Sequence, residues 1–376
     1  MSSSPLFSVP VELYRPIVQH IDISDDRQTL LDLLLTSSQL HYEAERCLYH
    51  SFTLDSFRPK QHRGSLVGFF RRLIECERVA LLVHCIDIQN DPTSPFYIGN
   101  DDTEYWDLLP HALKVVINLK YLSFTTLGDR PAAHILRGCT FQLLGFNWYC
   151  RYDEDNLRSF LTEQRELNEL CVDWRTGVDG LPHSALQRLN KFEGSYYAIK
   201  LFLPLRNIAH LHWVPDHDDE PQIEPPSELS AAMNRLTTLV FGGLYRVDFQ
   251  AVANHISNLR FLELVGNHGV PAVFTTVHIP QLEGLTLSRA WSTIDTDYNI
   301  DACRDFVPRT FECFPKLQFI DIQPLGTGCE DGDCDNHCNT AYQRWVRNSC
   351  EPVPITHDFQ FPWYMEAMAS PITSFR

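Results

Sequence analysis

Long hydrophobic runs are missing from this sequence. The longest apolar stretches, such as Val79 to Val83, are far shorter than the roughly 18 consecutive residues that a membrane span requires. No positively charged, apolar leader opens the chain, and no Asn-x-Ser/Thr glycosylation acceptor occurs. We therefore expect a soluble intracellular protein, cytoplasmic or nuclear, without a membrane partner.

Cysteine and basic residues are also scarce. Twelve cysteines in 376 residues are too few for a disulfide-stapled scaffold, so we expect mostly free, buried thiols. The 31 lysines and arginines are outnumbered by 48 acidic residues, which gives a net charge of −17. The negative electrostatic potential of such a protein repels the phosphate backbone of nucleic acids, so we expect no nucleic-acid partner.

Common catalytic signatures are absent. The sequence contains no Gly-x-x-x-x-Gly-Lys-Ser/Thr loop, no His-Glu-x-x-His pair and no Gly-x-Ser-x-Gly elbow. We expect no catalytic residues, no cofactor and no enzymatic activity, because nothing points to a polar cleft with coupled titratable groups.

The first fifty residues show three short helical patterns. Leu13, Ile17 and Ile21 recur every four residues after Pro10 and Glu12, which suit the first turn of a helix. A leucine-rich segment follows, and Leu40, Ala44 and Leu48 form a third stripe. A module this small cannot cover its own apolar surface, so the rest of the chain or a partner must cover it.

Residues 8–54 resemble an F-box of the fungal type. The resemblance rests on Val9-Pro10-Val11-Glu12-Leu13, Ile17, Ile21, Leu33 to Ser38, Ala44 and Leu48-Tyr49. Two positions depart from the family: Val9 replaces the usual leucine, and Leu40 replaces a frequent aromatic. The resemblance implies docking onto the Skp-family adaptor of an SCF ubiquitin ligase, and through it onto a cullin. The residues expected at the adaptor are Pro10, Leu13, Ile17, Ile21, Leu31 and Leu34. Alternatively, these helices only cap the domain that follows.

A repeated pattern covers the middle of the chain, with apolar residues at positions 1, 4 and 6 of a short window. The windows are Val83-Ile86-Ile88, Leu119-Leu122-Phe124, Phe141-Leu144-Phe146, Leu167-Leu170-Val172, Leu189-Phe192-Gly194, Ile208-Leu211-Trp213, Leu236-Leu239-Phe241, Leu259-Leu262-Leu264, Leu282-Leu285-Leu287 and Leu317-Ile320-Ile322. Only Gly194 breaks the apolar set. Positions 4 and 6 share one face of a strand, and stacking of neighbouring strands would bury that face.

Residues 79–325 therefore resemble irregular leucine-rich repeats, as often follow an F-box. The Asn of the family appears as Asn267, but most windows lack it. We predict an α/β fold: a three-helix F-box, a basic connecting segment at residues 55–78, a leucine-rich-repeat-like solenoid, and a Cys/Pro/aromatic-rich cap at residues 326–376. The structural alternative is an ordinary α/β domain.

Two sets of residues are candidates for binding. Solenoids often bind along their strand-lined face, so exposed aromatic residues are candidates for contacting an unknown client protein. These are Tyr121, Trp148, Trp174 and Trp291. Zinc would accept three thiols and an imidazole within ten residues, at Cys329, Cys334, His337 and Cys338, although a polar loop of free thiols remains the alternative. His210 and His212 share one face of a predicted strand and are interpreted as packed or surface residues.

The resemblance to an F-box followed by leucine-rich repeats implies a substrate-recognition subunit of an SCF-type ubiquitin ligase. The N-terminal helices would bind the adaptor, and the repeats would hold a client. The alternative is a non-catalytic leucine-rich-repeat scaffold whose N-terminal helices only cap the solenoid.

Overall fold

The computed structural model describes twelve segments of the chain. They are residues 10–21, 26–55, 63–90, 103–126, 131–174, 181–214, 227–242, 249–266, 277–288, 300–323, 340–349 and 351–357. The chain divides into two compact units, residues 1–160 (unit 1) and 161–376 (unit 2).

Unit 1 combines helices with a parallel sheet. Its helices are α1 (Val11–Gln19), α2 (Arg27–Leu33), α3 (Ser38–His50), α4 (Arg63–Glu75), α5 (Glu77–Ala80), α6 (Thr103–Val115), a 3-10 helix (Ala133–Leu136) and α7 (Glu154–Glu163), within which the division of the chain falls. Its strands are β1 (Ser51–Asp55), β2 (Cys85–Asn90), β3 (Tyr121–Thr126) and β4 (Gly145–Tyr149). Each strand pairs in parallel with the next one along the chain. Helical or irregular connections must therefore carry the chain back after each strand.

Unit 2 repeats this plan. Its parallel strands are β5 (Glu169–Val172), β6 (Lys191–Gly194), β7 (His210–Trp213), β8 (Thr238–Gly242), β9 (Phe261–Val265), β10 (Gly284–Ser288) and β11 (Phe319–Ile322). Its helices are α8 (Tyr196–Phe202), α9 (Ser227–Met233), α10 (Phe249–Ala253) and α11 (Ile300–Cys313). An antiparallel hairpin, β12 (Thr340–Val346) and β13 (Val353–His357), follows and pairs with β11.

The strand register matches the predicted repeat. The residues at positions 4 and 6 of successive windows lie opposite one another, as Leu239, Leu262 and Leu285 do. These side chains are buried, and so are the position-1 residues that precede them, such as Leu236 and Leu259. Each unit is thus a stack of strand-and-connection repeats with the predicted apolar edge inside, as in a leucine-rich-repeat solenoid.

The window predicted for β4 is shifted by two residues. The structure pairs Phe146 with Leu122 and Trp148 with Phe124, so the window is Leu143-Phe146-Trp148 and not the one that begins at Phe141. Sequence reasoning also missed β1, which carries the same pattern at Tyr49-Phe52-Leu54 and pairs with β2.

Gly194, which breaks the apolar pattern, lies where a helix approaches the sheet. A Cβ at this position would lie 3.0 Å from the Cβ of Ala198 on α8 and 3.1 Å from the ring of Phe192. Helix α8 begins two residues after β6, and its Ala198 lies close to this strand position. Glycine here permits the close packing of α8 that a larger apolar residue would prevent.

Gly284 makes room for two aromatic rings on the opposite face of the sheet. Phe261 and Phe319, at the same level on the two neighbouring strands, are buried against each other over this glycine. A Cβ at Gly284 would lie 2.5 Å from the ring of Phe319 and 2.9 Å from that of Phe261.

We expect Gly284→Ala to lower the free energy of unfolding by about 1–3 kcal/mol, because the two rings must leave their packed positions. Gly68→Ala is the matched control. Gly68 lies inside α4, and a Cβ there would meet nothing within 4 Å. The control should raise the free energy of unfolding by about 0.5–1 kcal/mol, because alanine favours a helix interior. Urea denaturation of both variants checks the opposite signs; a stabilising Gly284→Ala change would contradict the packing argument.

None of the helices in the described segments is long and apolar enough to cross a membrane.

Candidate functional site

Helices α1, α2 and α3, residues 11–50, form the N-terminal module. Val18, Leu30 and Ala44, one from each helix, are fully buried against one another. Six other apolar residues pack partly against this centre: Ile21, Leu33, Leu34, Leu40, Cys47 and Leu48. Ser37 caps α3, because its side chain accepts a hydrogen bond from the backbone N–H of Leu40 at 3.3 Å. The chain forms three helices here, and their identity as an F-box stays a prediction.

Large apolar side chains of the module remain in contact with solvent. Leu13 and Ile17, four residues apart on α1, are each 48% exposed, and Leu31 and Leu35 are 39% and 88% exposed. These four residues are the exposed apolar set. Exposed apolar side chains grouped on so small a module are typical of an interaction site.

The six predicted adaptor residues divide into two groups. Pro10, Leu13, Ile17 and Leu31 are exposed, as an adaptor contact requires. Ile21 and Leu34 are half-buried and pack into the centre of the module. Leu35 was not among the predicted residues, although it ends the same leucine-rich segment; the repetition of leucine hides which positions point outward.

The module is attached to the strands of unit 1. Helix α3 leads directly into β1, and Glu45 of α3 accepts hydrogen bonds from both terminal nitrogens of Arg78 on α5, one of them at 2.9 Å. The rings of His50 and His84 stack with their centroids 4.7 Å apart. Burial lowers the pKa of His50, and the neighbouring His84 lowers it further. These contacts use a different set of side chains from the exposed apolar set.

Trp148, one of the predicted client-binding residues, is a core residue, which corrects the expectation that it is exposed. It is fully buried at position 6 of the β4 window and stacks on Phe124 with ring centroids 4.9 Å apart. Its indole Nε1 donates to Asp153 Oδ2 at 2.9 Å, and the same carboxylate accepts the backbone N–H groups of Ala132 and Ala133, each at 2.8 Å. The indole is therefore one of three donors to the buried carboxylate of Asp153.

Of the other three aromatic candidates, one is buried, one is exposed and one lies outside the described residues. Trp174 is also buried, with its ring edge-on to that of Phe202 at 5.5 Å, so the expectation of exposure is wrong here too. Tyr121 is 47% exposed on β3 and is open to a partner. Trp291 lies outside the described residues.

The predicted zinc ligands, Cys329, Cys334, His337 and Cys338, also lie outside the described residues. Within the described segments, no group of three or more His, Cys, Asp or Glu side chains could hold a metal ion. His210 and His212 both engage neighbouring strands. His210 Nδ1 lies 3.1 Å from Thr238 Oγ1, and His212 Nδ1 lies 2.9 Å from Glu193 Oε2.

The face of the unit 2 sheet that points away from the core carries two rows of side chains across β5–β9, which we call the strand face. Positions 3 and 5 of the windows supply the rows, because they alternate with the buried positions 4 and 6. The first row is Glu169, Lys191, His210, Thr238 and Phe261, and the second is Cys171, Glu193, His212, Val240 and Glu263. Three carboxylates and one lysine make this face acidic, and most of its residues are partly accessible to solvent.

The surroundings of His212 make this part of the face sensitive to pH. Burial lowers the pKa of His212, but the charge and hydrogen bond of Glu193 raise it, and Glu263 adds to this while Lys191 opposes it. The net pKa lies above the ordinary value of 6.5. A raised histidine pKa contributes stability that is fully present below the unfolded-state pKa and is lost as the pH rises through the folded-state pKa.

We expect Glu193→Gln to destabilise the protein more at pH 5.5 than at pH 8.5, because only the protonated imidazole is stabilised by the carboxylate. Urea denaturation at the two pH values measures this difference. Glu312→Gln, at an exposed carboxylate on α11, should show no such dependence. A Glu193→Gln effect that is equal at both pH values would contradict the assignment.

Comparison with solved structures gives distant likenesses. The chain is similar to the crystal structure of an internalin from Listeria monocytogenes, with 16% sequence identity and a TM-score of 0.35, over 82% of this chain and 79% of that one. No protein-family model matches the sequence. No curated protein matches it either.

Proposed function

We propose that this protein is the substrate-recognition subunit of an SCF-type ubiquitin ligase. The N-terminal module would bind the Skp-family adaptor and, through it, the cullin, while the repeats hold a client protein. The protein would act by proximity and not as a catalyst, since it raises the local concentration of the client near the conjugating enzyme. This activity would take place in the cytoplasm or nucleus.

The observation that carries this proposal is the exposed apolar set, Leu13, Ile17, Leu31 and Leu35. Each of these side chains retains more than a third of its accessible surface in the folded chain. A partner that buried them would gain about 25 cal/mol for each Å² of apolar surface removed from water. The first three are residues that the F-box resemblance assigns to the adaptor contact, and Leu35 is adjacent to a fourth, Leu34.

A second candidate function is a protein-binding scaffold whose module only caps the strand stack. The continuity of α3 with β1 and the Glu45–Arg78 pair favour it, because both tie the module to unit 1. On this reading, the module is required for folding and binds no ligase component.

Co-purification with the Skp-family adaptor separates the two functions. Two chains are each expressed with the adaptor: the full chain, and a version that lacks residues 1–36 and therefore α1 and α2. Circular dichroism shows whether each chain is folded. A complex with the full chain alone, together with a folded truncated chain, would support the receptor function. A folded full chain that forms no complex would refute it, and an unfolded truncated chain would then support the cap.

A further inference from the structure

We infer that a row of hydrogen-bond donors at the start of the repeats ties each repeat to the one before it, in windows that mostly lack the asparagine of regular leucine-rich repeats. The row occupies position 0, which is the residue immediately before the apolar position 1 of a window. This inference goes beyond the proposed function and does not depend on it.

The backbone pairing between neighbouring repeats begins only at position 2. In the repeat of β9, the N–H groups of Arg260 and Phe261 both donate to Thr237 O of the preceding repeat, at 2.9 and 3.0 Å. In the repeat of β8, the N–H groups of Thr237 and Thr238 donate in the same way to Ala209 O. Positions before the second are therefore joined to the preceding repeat only if side chains reach across.

Side chains at position 0 extend this pairing by two residues. In three repeats, the side chain donates to the backbone carbonyl at position −1 of the preceding repeat. The pairs are Asn118 Nδ2 with Leu81 O at 2.8 Å, Arg235 Nη2 with Arg206 O at 3.2 Å, and Asn258 Nδ2 with Asn234 O at 2.8 Å. Backbone carbonyls in the turn before a strand thereby gain a partner.

Two other repeats form the same link between side chains. Arg188 donates to Glu166, and Lys316 donates to Gln281, where all four residues occupy position 0 of their own windows. All five donors thus reach the preceding repeat.

The sequence at position 0 agrees with this role. Of the windows that precede β2–β11, all but the first carry a polar residue there. These residues are Asn118, Gln142, Glu166, Arg188, Asn207, Arg235, Asn258, Gln281 and Lys316. An exposed position is commonly polar, so it is the shared direction of the five bonds that carries the inference. Because a solenoid is stabilised by contacts between neighbouring repeats, bonds of this kind add to its cohesion.

The row makes a specific demand: position 0 needs a donor, but asparagine and arginine are interchangeable as its source. Asn258→Ala removes the donor, and Asn258→Asp places a carboxylate oxygen against Asn234 O. Asn258→Arg supplies the donor that Arg235 supplies one repeat earlier. Asn254→Ala is the matched control, because Asn254 is exposed in the same repeat and its side chain makes no hydrogen bond within the described segments.

The experiment measures amide hydrogen exchange of the folded full chain by mass spectrometry. In Asn258→Ala, we expect the amides of Arg260 and Phe261 to exchange about fivefold faster than in the wild type, as loss of one net hydrogen bond requires. Asn258→Asp should accelerate exchange at least as much. Asn258→Arg and Asn254→Ala should stay within twofold of the wild type, and the amides of β2 and β3 should be unchanged in all four variants.

The same exchange of residues at the preceding repeat gives an independent measurement. Arg235→Ala should accelerate exchange of the Thr237 and Thr238 amides, whereas Arg235→Asn should leave it within twofold of the wild type. Equal exchange in Asn258→Ala and Asn254→Ala would overturn the inference. Acceleration by Asn258→Arg or Arg235→Asn that matches the alanine variants would overturn it as well, since the donor would then not be what position 0 requires.

Discussion

Replacement of Leu13 and Ile17 together by aspartate is expected to abolish co-purification of the Skp-family adaptor, with a loss of affinity above about 100-fold. Each residue is 48% exposed in the free protein, and an adaptor contact would bury this exposed part. The variant loses the apolar transfer energy of both residues and must also bury two carboxylates, which costs several kcal/mol more. Isothermal titration with the purified adaptor measures the loss.

The stability of the variant separates loss of binding from loss of folding. Because Leu13 and Ile17 point away from the buried centre of the module, the thermal unfolding midpoint should stay near that of the wild type. Val18→Asp should lower it strongly, since Val18 is fully buried between the three helices. Ile117→Asp is the matched surface control. Ile117 is 50% exposed in unit 1 but outside the module, so its change should leave adaptor binding intact. Full binding by a folded Leu13→Asp, Ile17→Asp variant would refute the docking site.

The sequence predicts the strand ladder well, because the buried positions follow one rule. A strand buried on one face needs apolar residues at alternate positions, and stacking requires the same register in each repeat. The windows at Leu236, Leu259 and Leu282 are each followed by strands paired as the pattern requires. Gly194 breaks this rule, because the approach of α8 leaves no room for a larger side chain.

The pattern fails where apolar residues are too dense to select one register. Residues 141–148 read Phe-Gln-Leu-Leu-Gly-Phe-Asn-Trp, which fits windows that begin at Phe141 or at Leu143. A shift of two residues keeps the same face inside, so alternation cannot distinguish the two windows. Only pairing with β3 settles the choice, and it moves Trp148 from a candidate client contact into the core.

The candidate site is less predictable than the fold. Leucines repeat so closely in residues 30–35 that periodicity does not separate Leu34, which packs inward, from Leu35, which is exposed. The acidic strand face forms no local sequence motif, for another reason. Glu169, Glu193 and Glu263 are separated by 24 and 70 residues, and only the parallel stacking of β5–β9 brings them to one surface.

A second large effect is expected where β11 meets the C-terminal hairpin. Asp321→Ala, on β11, should lower the free energy of unfolding by about 3–5 kcal/mol. Arg344 on β12 donates from Nε to Asp321 Oδ1 at 2.8 Å and from Nη2 to Oδ2 at 2.7 Å. The Asp321 side chain is completely buried, and that of Arg344 is only 19% exposed. Removal of the carboxylate leaves a largely buried guanidinium without its counter-charge. Urea denaturation of the full chain measures the loss.

A second ion pair in unit 2, Arg260 with Glu283, has the same hydrogen-bond geometry and serves as the control. Arg260 donates to Glu283 through the same two nitrogens at 2.9 and 2.8 Å, but these side chains are 45% and 25% exposed. Both arginines also lie over a phenylalanine ring, Arg344 at 4.3 Å from Phe319 and Arg260 at 5.4 Å from Phe261. Glu283→Ala should therefore cost no more than about 1 kcal/mol, because water solvates the arginine that remains.

The comparison of these two pairs tests burial as the decisive variable, since their hydrogen-bond geometry is nearly the same. Addition of Arg344→Ala to Asp321→Ala should recover part of the lost stability, because the stranded charge is then removed as well. Equal losses at Asp321 and Glu283 would show that the buried pair is not what fastens β12 to β11. A large loss at Asp321 alone, partly reversed in the double variant, would show that this ion pair stabilises the attachment of the hairpin beyond the backbone pairing of β12 with β11.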